Sequence, residues 1–276
     1  MANEIKTTNT TNAGLVERVQ ADAIATVRMQ SRLFNFVNTK EAMNAGSVQF
    51  WSPDTPSGVI AQISAQTEAN SLTSLAHSAT ARAATLATYA WQTSVSELDL
   101  RSGSMTEAEM ARNSASYVAG AIDKAICAQF SNFTPTISGA TFSVSNLLSA
   151  RAQLENTGFA GNVICVLGVT EFGELMSDAL TSHYTFQKND QIISNGYMGR
   201  LFDIDIVAVP DSYLPTVDTQ KYGAMFFDGY GIGLGYHAPL IEVKQTPLDI
   251  ANFYMGAKAE IGATYISAYG GVKLQS

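Results

Sequence analysis

The side chains best suited to chemistry are few in this sequence, and they are scattered. Three histidines, His77, His183 and His237, stand far apart, and none has a second His or Cys at metal-ligand spacing. Isolated imidazoles of this kind read as surface or interface groups rather than ligands. Cys127 and Cys165 form no C-x-x-C pair and have no neighbouring histidine, so buried free thiols in a reducing cytoplasm are expected. Serines are plentiful, but without a G-x-S-x-G elbow no nucleophile is assigned. Asp203 and Asp205 alternate along an apolar segment and could work as an acid and base pair or hold a hard cation. No further acidic cluster supports them, and a solvated or intersubunit face is the better reading. Gly229, Gly231, Gly233 and Gly235 suggest a phosphate loop, yet Tyr236 stands where a dinucleotide fingerprint needs glycine, and no Walker lysine follows. With Tyr230, Ile232 and Leu234 interleaved, the run is expected to be a glycine-rich strand packed closely on another backbone. The glycosylation patterns at Asn9 and Asn132 occur at chance frequency. No catalytic, cofactor-binding or metal residue is assigned.

Composition narrows the function classes further. The chain has 276 residues, of which 46% are hydrophobic and only 14% charged, well under the roughly 25% usual in soluble proteins. A chain so short of charge is expected to cover part of its surface with partners. The net charge of −8 and the pI near 4.8 argue against a tight grip on nucleic acid, which needs Lys and Arg against the phosphates. No apolar run approaches the roughly 18 to 20 residues of a membrane helix, and MANEIKTTNTTNAG lacks the apolar core of a secretory signal.

The elements that would position any site follow from periodicity. Residues 1–12 are rich in Thr and Asn and poor in bulky side chains, so they need a partner to be ordered. From Asn12 to Val37 the spacing of Val16, Val19, Ala23 and Val27 predicts an amphipathic helical arm. Between Trp51 and Trp91 lies a nearly neutral Ala/Ser/Thr-rich stretch with only Asp54, Glu68 and Arg82 charged, too poor in bulky residues to build its own core. Such a projection suits lying on another chain. A long helix is expected from about Ser104 to Phe130, with capping boxes pairing Ser104 with Glu107 and Thr106 with Glu109. At about 25 residues it would be roughly 38 Å long. Beyond Pro135 the pattern is α/β. A helix is capped by Ser145 and ended by Gly158 at C′, a strand runs over Asn162 to Leu167, and a second helix starts at Thr170. Gly199 to Val209 alternates as a single half-buried strand, with Phe202, Ile204 and Ile206 on one face. Strand-like pieces follow at Gly223 to Phe227, Leu240 to Gln245 and Ala251 to Ser267.

Three passages taken in order carry a family resemblance. They are GSVQFWSPD with TLATYAWQTSVSELD on either side of the neutral stretch, MTEAEMARNSASYVAGAIDKAICAQF, and NGYMGRLFDIDIVAVPDSYLP followed by YGAMFFDGYGIGLGY. In order and spacing, and at the Ile122–Asp123 step, the chain resembles the major capsid proteins of tailed bacteriophages. The resemblance implies an α+β, Hong Kong 97-like capsid fold: an N-terminal arm over 1–40, an extended-loop region with its flanking strands over 41–104, and a spine helix with the peripheral domain over 105–142. An axial domain over 143–240 and return strands of the peripheral domain over 241–276 complete it. It implies a non-enzymatic shell subunit without cofactors, assembling with itself as hexamers and pentamers in a head that encloses double-stranded DNA without tight or specific binding. A portal protein and a decoration protein are further expected partners, and no membrane is. Because the arm begins almost at Met1, the scaffolding protein is expected to be separate. Lys40 and Lys188 lack the context for the covalent crosslink some relatives form. The expected assembly interface comprises Trp51, Glu68, Arg82, Trp91, Gly231 and Gly233, with the two tryptophans at the base of the loop. The alternatives are an encapsulin-like compartment subunit, a phage tail-tube protein and, last, an α/β enzyme.

Overall fold

A computed structural model of the chain describes residues 17–28, 30–43, 45–52, 80–96, 107–139, 141–181, 197–217, 220–247 and 252–275. The Thr/Asn-rich N-terminal strip, Glu68 and most of the neutral stretch, His77, His183, Lys188 and the caps at Ser104 and Thr106 lie outside the described residues.

Helix α1 covers residues 17–28 and is followed by strands β1 (Asn38–Ala42) and β2 (Ser47–Ser52). Strands β3 (Thr80–Thr85) and β4 (Ala87–Ser96) lead to the long helix α2 (Glu107–Cys127). Then come β5 (Thr136–Ser138), α3 (Val144–Glu155), β6 (Val163–Gly168) and α4 (Val169–Thr181). Strands β7 (Tyr197–Leu201), β8 (Ile204–Val209), β9 (Thr216–Val217) and β10 (Gln220–Phe227) follow. The last four are β11 (Ile232–His237), β12 (Glu242–Pro247), β13 (Asn252–Tyr265) and β14 (Gly271–Gln275). Among the described residues, no helix is long and apolar enough to cross a membrane.

Two sheets organise these elements. The first is built around β13, whose residue Ile261 pairs with both Tyr236 and Ala87, so β4 holds one edge and β11 the other. β12 continues along the β11 edge, and β1 adds to β11 in parallel. The second sheet runs β5-β14-β10-β6-β8-β7, with β9 paired to β10. β6 lies at its centre and is buried on both faces, which is why its sequence is an unbroken apolar run rather than an alternation. Ile164 and Val166 face α2 and its neighbours, while Cys165 and Leu167 face the layer that holds α3 and α4.

Helix α2 joins the two sheets. Met110, Ala111, Ala115, Val118, Ile122 and Ile126 are all nearly inaccessible and recur at the 3.6-residue period, so one stripe packs against the core. The alanines in that stripe let β13 approach, and its Met255, Ala257, Ala259 and Ile261 are buried in the same cluster. Beyond the helix, a short 3-10 turn at Phe130–Asn132 brings Phe130 and Phe133 onto Phe226 of β10, with ring centroids 6.1 and 6.3 Å away.

Several expectations are corrected. The arm helix stops well before Val37, because residues 31–33 turn to bind Asp123 and the chain then enters β1. The single strand over 199–209 is a hairpin of β7 and β8, with Phe202 and Asp203 at φ 51° and 63° as its two-residue turn. Positive φ at two successive residues is the twist-compatible hairpin geometry, usually signalled by Asn-Gly. Here the turn is held from outside: Arg200 pairs with Asp203 at 3.0 Å, and Arg151 donates to the Phe202 carbonyl. The cap of α3 is Ser143, whose hydroxyl accepts from the Asn146 amide at 3.3 Å, and Ser145 lies inside the helix. Gly158, at φ +80°, lies one residue beyond the expected C′ position, since Asn156 is the C-cap. After Phe227 the chain leaves the second sheet and returns to it with β14, which pairs with both β5 and β10.

Because Phe226 ties β10 to the far end of α2, Phe226→Ala is expected to destabilise the subunit by about 3 to 5 kcal/mol. Chemical denaturation of the unassembled protein measures this directly.

Candidate assembly interface

The strongest polar joint centres on Asp123, which lies on the buried face of α2 and is only 3% exposed. A carboxylate taken out of water must be satisfied by donors, and the turn after α1 supplies them. The Ser31 hydroxyl donates to Oδ1 at 2.7 Å, the Leu33 amide donates to Oδ1 at 3.1 Å, and the Arg32 amide donates to Oδ2 at 3.1 Å. Ser31 Oγ in turn accepts from the Phe34 amide. The Arg32 side chain reaches the other way and donates to the Ala208 carbonyl of β8 at 2.6 Å. One turn therefore links the arm, α2 and the second sheet. Burial pushes the Asp123 carboxyl above the ordinary aspartate range, opposed by the hydrogen bonds from Ser31, Arg32 and Leu33 and by the Arg32 charge.

The β2–β3 hairpin is seated on the first sheet by glycine and aromatic packing. A Cβ at Gly233 would lie 2.6 Å from the Phe50 ring, and one at Gly235 would press on Val48 at 3.0 Å. Both sites are floors for side chains of β2. Gly231 makes the same kind of room for Phe226, at 2.7 Å. The expectation of backbone against backbone is thus corrected for this run: the missing Cβ atoms admit side chains of β2 and β10. Arg82 of β3 fixes the opposite strand, stacking 4.0 Å over the Tyr265 ring while its guanidinium donates to a tyrosine hydroxyl, that of Tyr265 itself, at 2.6 Å. Lys40 stands 4.9 Å above Phe50.

With its base held this way, the hairpin leaves Trp51, the partner of Ala81, 60% exposed. Trp91 of β4 is half-buried and stacks on Tyr117 of α2, with centroids 5.2 Å apart. Trp51 and Trp91 are therefore on different strands and in different settings, one open and one packed within its own chain. Gly231, Gly233 and Arg82 also meet partners inside the subunit, and Glu68 lies outside the described residues.

The remaining chemical candidates have structural partners. Arg200 lies 3.0 Å from Asp203 and 3.5 Å from Asp205. Lys258 bridges Glu242 and Glu260 at 3.1 and 3.3 Å, and these three residues line a pocket together with half-buried His237. Cys127 and Cys165 are both buried free thiols, and burial raises their pKa. Among the described residues, no group of three or more His, Cys, Asp or Glu is placed to hold a metal ion. The Asp123 joint is the feature that sequence reasoning missed as a site. Its signal was a carboxylate on the apolar stripe of α2, between Ile122 and Ile126.

No protein-family model matches the chain, and no curated protein is similar to it in sequence. The fold, by contrast, is shared. The capsid structure of cyanophage P-SCSP1u is similar with a TM-score of 0.62 at 12% identity, over 87% of this chain and 86% of that one. The head structure of Helicobacter pylori bacteriophage KHP40 is similar with a TM-score of 0.62 at 11% identity, over 90% of each chain. The holo-SrpI encapsulin complex of Synechococcus elongatus PCC 7942 reaches 0.59 at 9% identity, over 89% of this chain and 87% of that one. The architecture is the Hong Kong 97-like capsid fold.

Replacing Asp123 by Ala leaves three donors unpaired in the interior and is expected to cost about 1 to 3 kcal/mol for each one that water cannot reach. Asp123→Asn resolves the pH dependence. The folded pKa is raised, so the linked stabilisation is fully present below the ordinary aspartate value and is lost as pH rises through the folded value. Denaturation midpoints of the two proteins should therefore shift in favour of the parent as pH falls from neutrality toward that value. A difference that stays flat with pH would remove the linkage.

Proposed function

We propose that this chain is the major capsid protein of a tailed bacteriophage, a subunit that associates with copies of itself to form the icosahedral head shell around double-stranded DNA. The observation that carries the reading is whole-chain similarity to phage shell subunits, extending over about nine-tenths of both chains for the KHP40 head. In this reading α2 is the spine, the first sheet belongs to the peripheral domain, and the second sheet with α3 and α4 is the axial domain. The arm over 1–40 and the extended-loop region over 41–104 reach neighbouring subunits, and Trp51, exposed at the loop's base, is a contact between copies. The 21-residue helix α2 favours this class over a tail-tube protein.

The subunit works by repetition. Each interface is modest, and symmetry multiplies it until the closed shell is stable. Hexamers and pentamers of the chain meet a portal protein at one vertex. A scaffolding protein guides assembly in the host cytoplasm, and a decoration protein binds outside. A net charge of −8 suits an inner wall that releases its DNA. The role is structural, with no reaction to catalyse. An encapsulin-like compartment is the second reading, favoured by the similarity to the Synechococcus complex.

Electron microscopy of the purified protein tests the proposal. Closed shells are expected from the parent chain, and a variant lacking residues 56–76 should fold yet form none. Parent protein that remains monomeric or forms open tubes would overturn the reading. In particles from infected cells, enclosed DNA marks a head, whereas an enclosed enzyme marks a compartment.

A further inference from the structure

We infer that Asp228 is a self-modification site, at which the folded chain converts its Asp–Gly link to isoaspartate through a cyclic imide. Among the aspartates of the sequence, only Asp228 is followed by glycine. A side chain on the following residue obstructs ring closure, and glycine removes that obstacle.

The turn between β10 and β11 presents this pair to solvent. The Phe227 carbonyl accepts from the Tyr230 amide at 3.3 Å and from the Gly231 amide at 3.1 Å, so Asp228 and Gly229 are the two central residues. Gly229 has φ +82°, the value that the third position of a type II turn requires. A Cβ there would meet nothing within 4 Å, which leaves space for the Asp228–Gly229 peptide plane to rotate toward the carboxyl. Asp228 is exposed, and among the described residues no hydrogen bond or ion pair holds its side chain. Partial burial raises the carboxyl above the ordinary aspartate range, so a larger share stays in the acid form, which can lose its hydroxyl. Asp203 supplies the contrast. It too lies in an exposed turn, at φ 63°, but Arg200 holds its carboxylate at 3.0 Å and Ile204 follows it.

The reaction needs only water. The Gly229 amide nitrogen attacks Cγ of the Asp228 acid, a C–N bond forms, and the hydroxyl leaves with the amide proton as water. A second water then opens the imide. Opening at Cγ restores aspartate. Opening at the main-chain carbonyl leaves the chain running through Cγ, one methylene longer, with a free α-carboxylate and the same net charge. The position gives the change its effect. The Asp228 amide donates to the Asn162 carbonyl at 2.9 Å and the Phe227 amide to the Gly270 carbonyl at 3.2 Å, in the link that carries the chain from the second sheet to the first. Isoaspartate lengthens that link.

Peptide mapping of the aged, folded, full-length chain tests the inference, whether or not it forms shells. Trypsin releases residues 222–244 as one peptide, and electron-transfer fragmentation locates isoaspartate within it. The product should accumulate at Asp228 and not at Asp203, and ageing in heavy-oxygen water should add solvent oxygen at Asp228. Asp228→Glu, whose longer side chain does not close the same ring, should lose the product. Accumulation should slow as pH rises through the folded value of the carboxyl, because the acid form is lost. Asp228→Asn closes the same ring with loss of ammonia and should instead accelerate as pH rises. A parent chain that stays unmodified while Asp228→Asn forms isoaspartate would overturn the inference, as would product that appears only in the urea-unfolded chain.

Discussion

The buried carboxylate of Asp123 constrains the rest of the subunit. Asp123 enters the core on α2 and must find donors there. The cost of an unpaired ion in that setting is several kcal/mol, comparable with a large part of a domain's net stability. The turn at Ser31, Arg32 and Leu33 meets the demand with one hydroxyl and two amides. This fixes where α1 ends, since those residues cannot also continue the helix. It also orients Val19, Ala23 and Val27 of α1 in the core, and it carries Arg32 to the Ala208 carbonyl. Three segments far apart in sequence, the arm, the spine and a strand of the second sheet, are thereby tied through one turn.

Around that joint, rigidity comes from close packing on the two sheets. β6 is covered on both faces, so the second sheet forms the middle layer between α2 and the layer of α3 and α4. In the first sheet the glycines of β11 leave room where Phe50 and Val48 of the hairpin descend, and Arg82 secures the far strand against Tyr265. The hairpin is thus anchored at its base while Trp51 stays open. A subunit that tiles a shell needs this division, with a body that does not deform and edges that are left unfinished.

Much of this was legible in the sequence, and physical reasons separate what was from what was not. The spine helix could be read because its apolar residues recur at helical spacing over 21 residues, and β6 because five consecutive apolar residues demand cover on both faces. The hairpin turn at Phe202 and Asp203 was hidden, since neither residue advertises a positive φ and the ties to Arg200 and Arg151 come from tertiary structure. The function of the β11 glycines was half visible: close approach followed from their period, but only the fold shows that the side chains of Phe50 and Val48 arrive there. The joint at Asp123 could not be paired from sequence, because Ser31 is 92 positions away. Its clue, a carboxylate on an apolar stripe, names one partner and leaves the other unknown. The placement of β14 beside β10 depends on long-range pairing that local pattern does not encode.

The most direct test of the central claim, that the arm, the spine and the second sheet form one body through Asp123, is native-state hydrogen exchange at the Arg32 and Leu33 amides of the unassembled subunit. These two amides are expected to exchange only through the global unfolding that releases the β6 amides, with the same opening free energy. Exchange at Arg32 and Leu33 through a local opening, far faster than at β6, would contradict it.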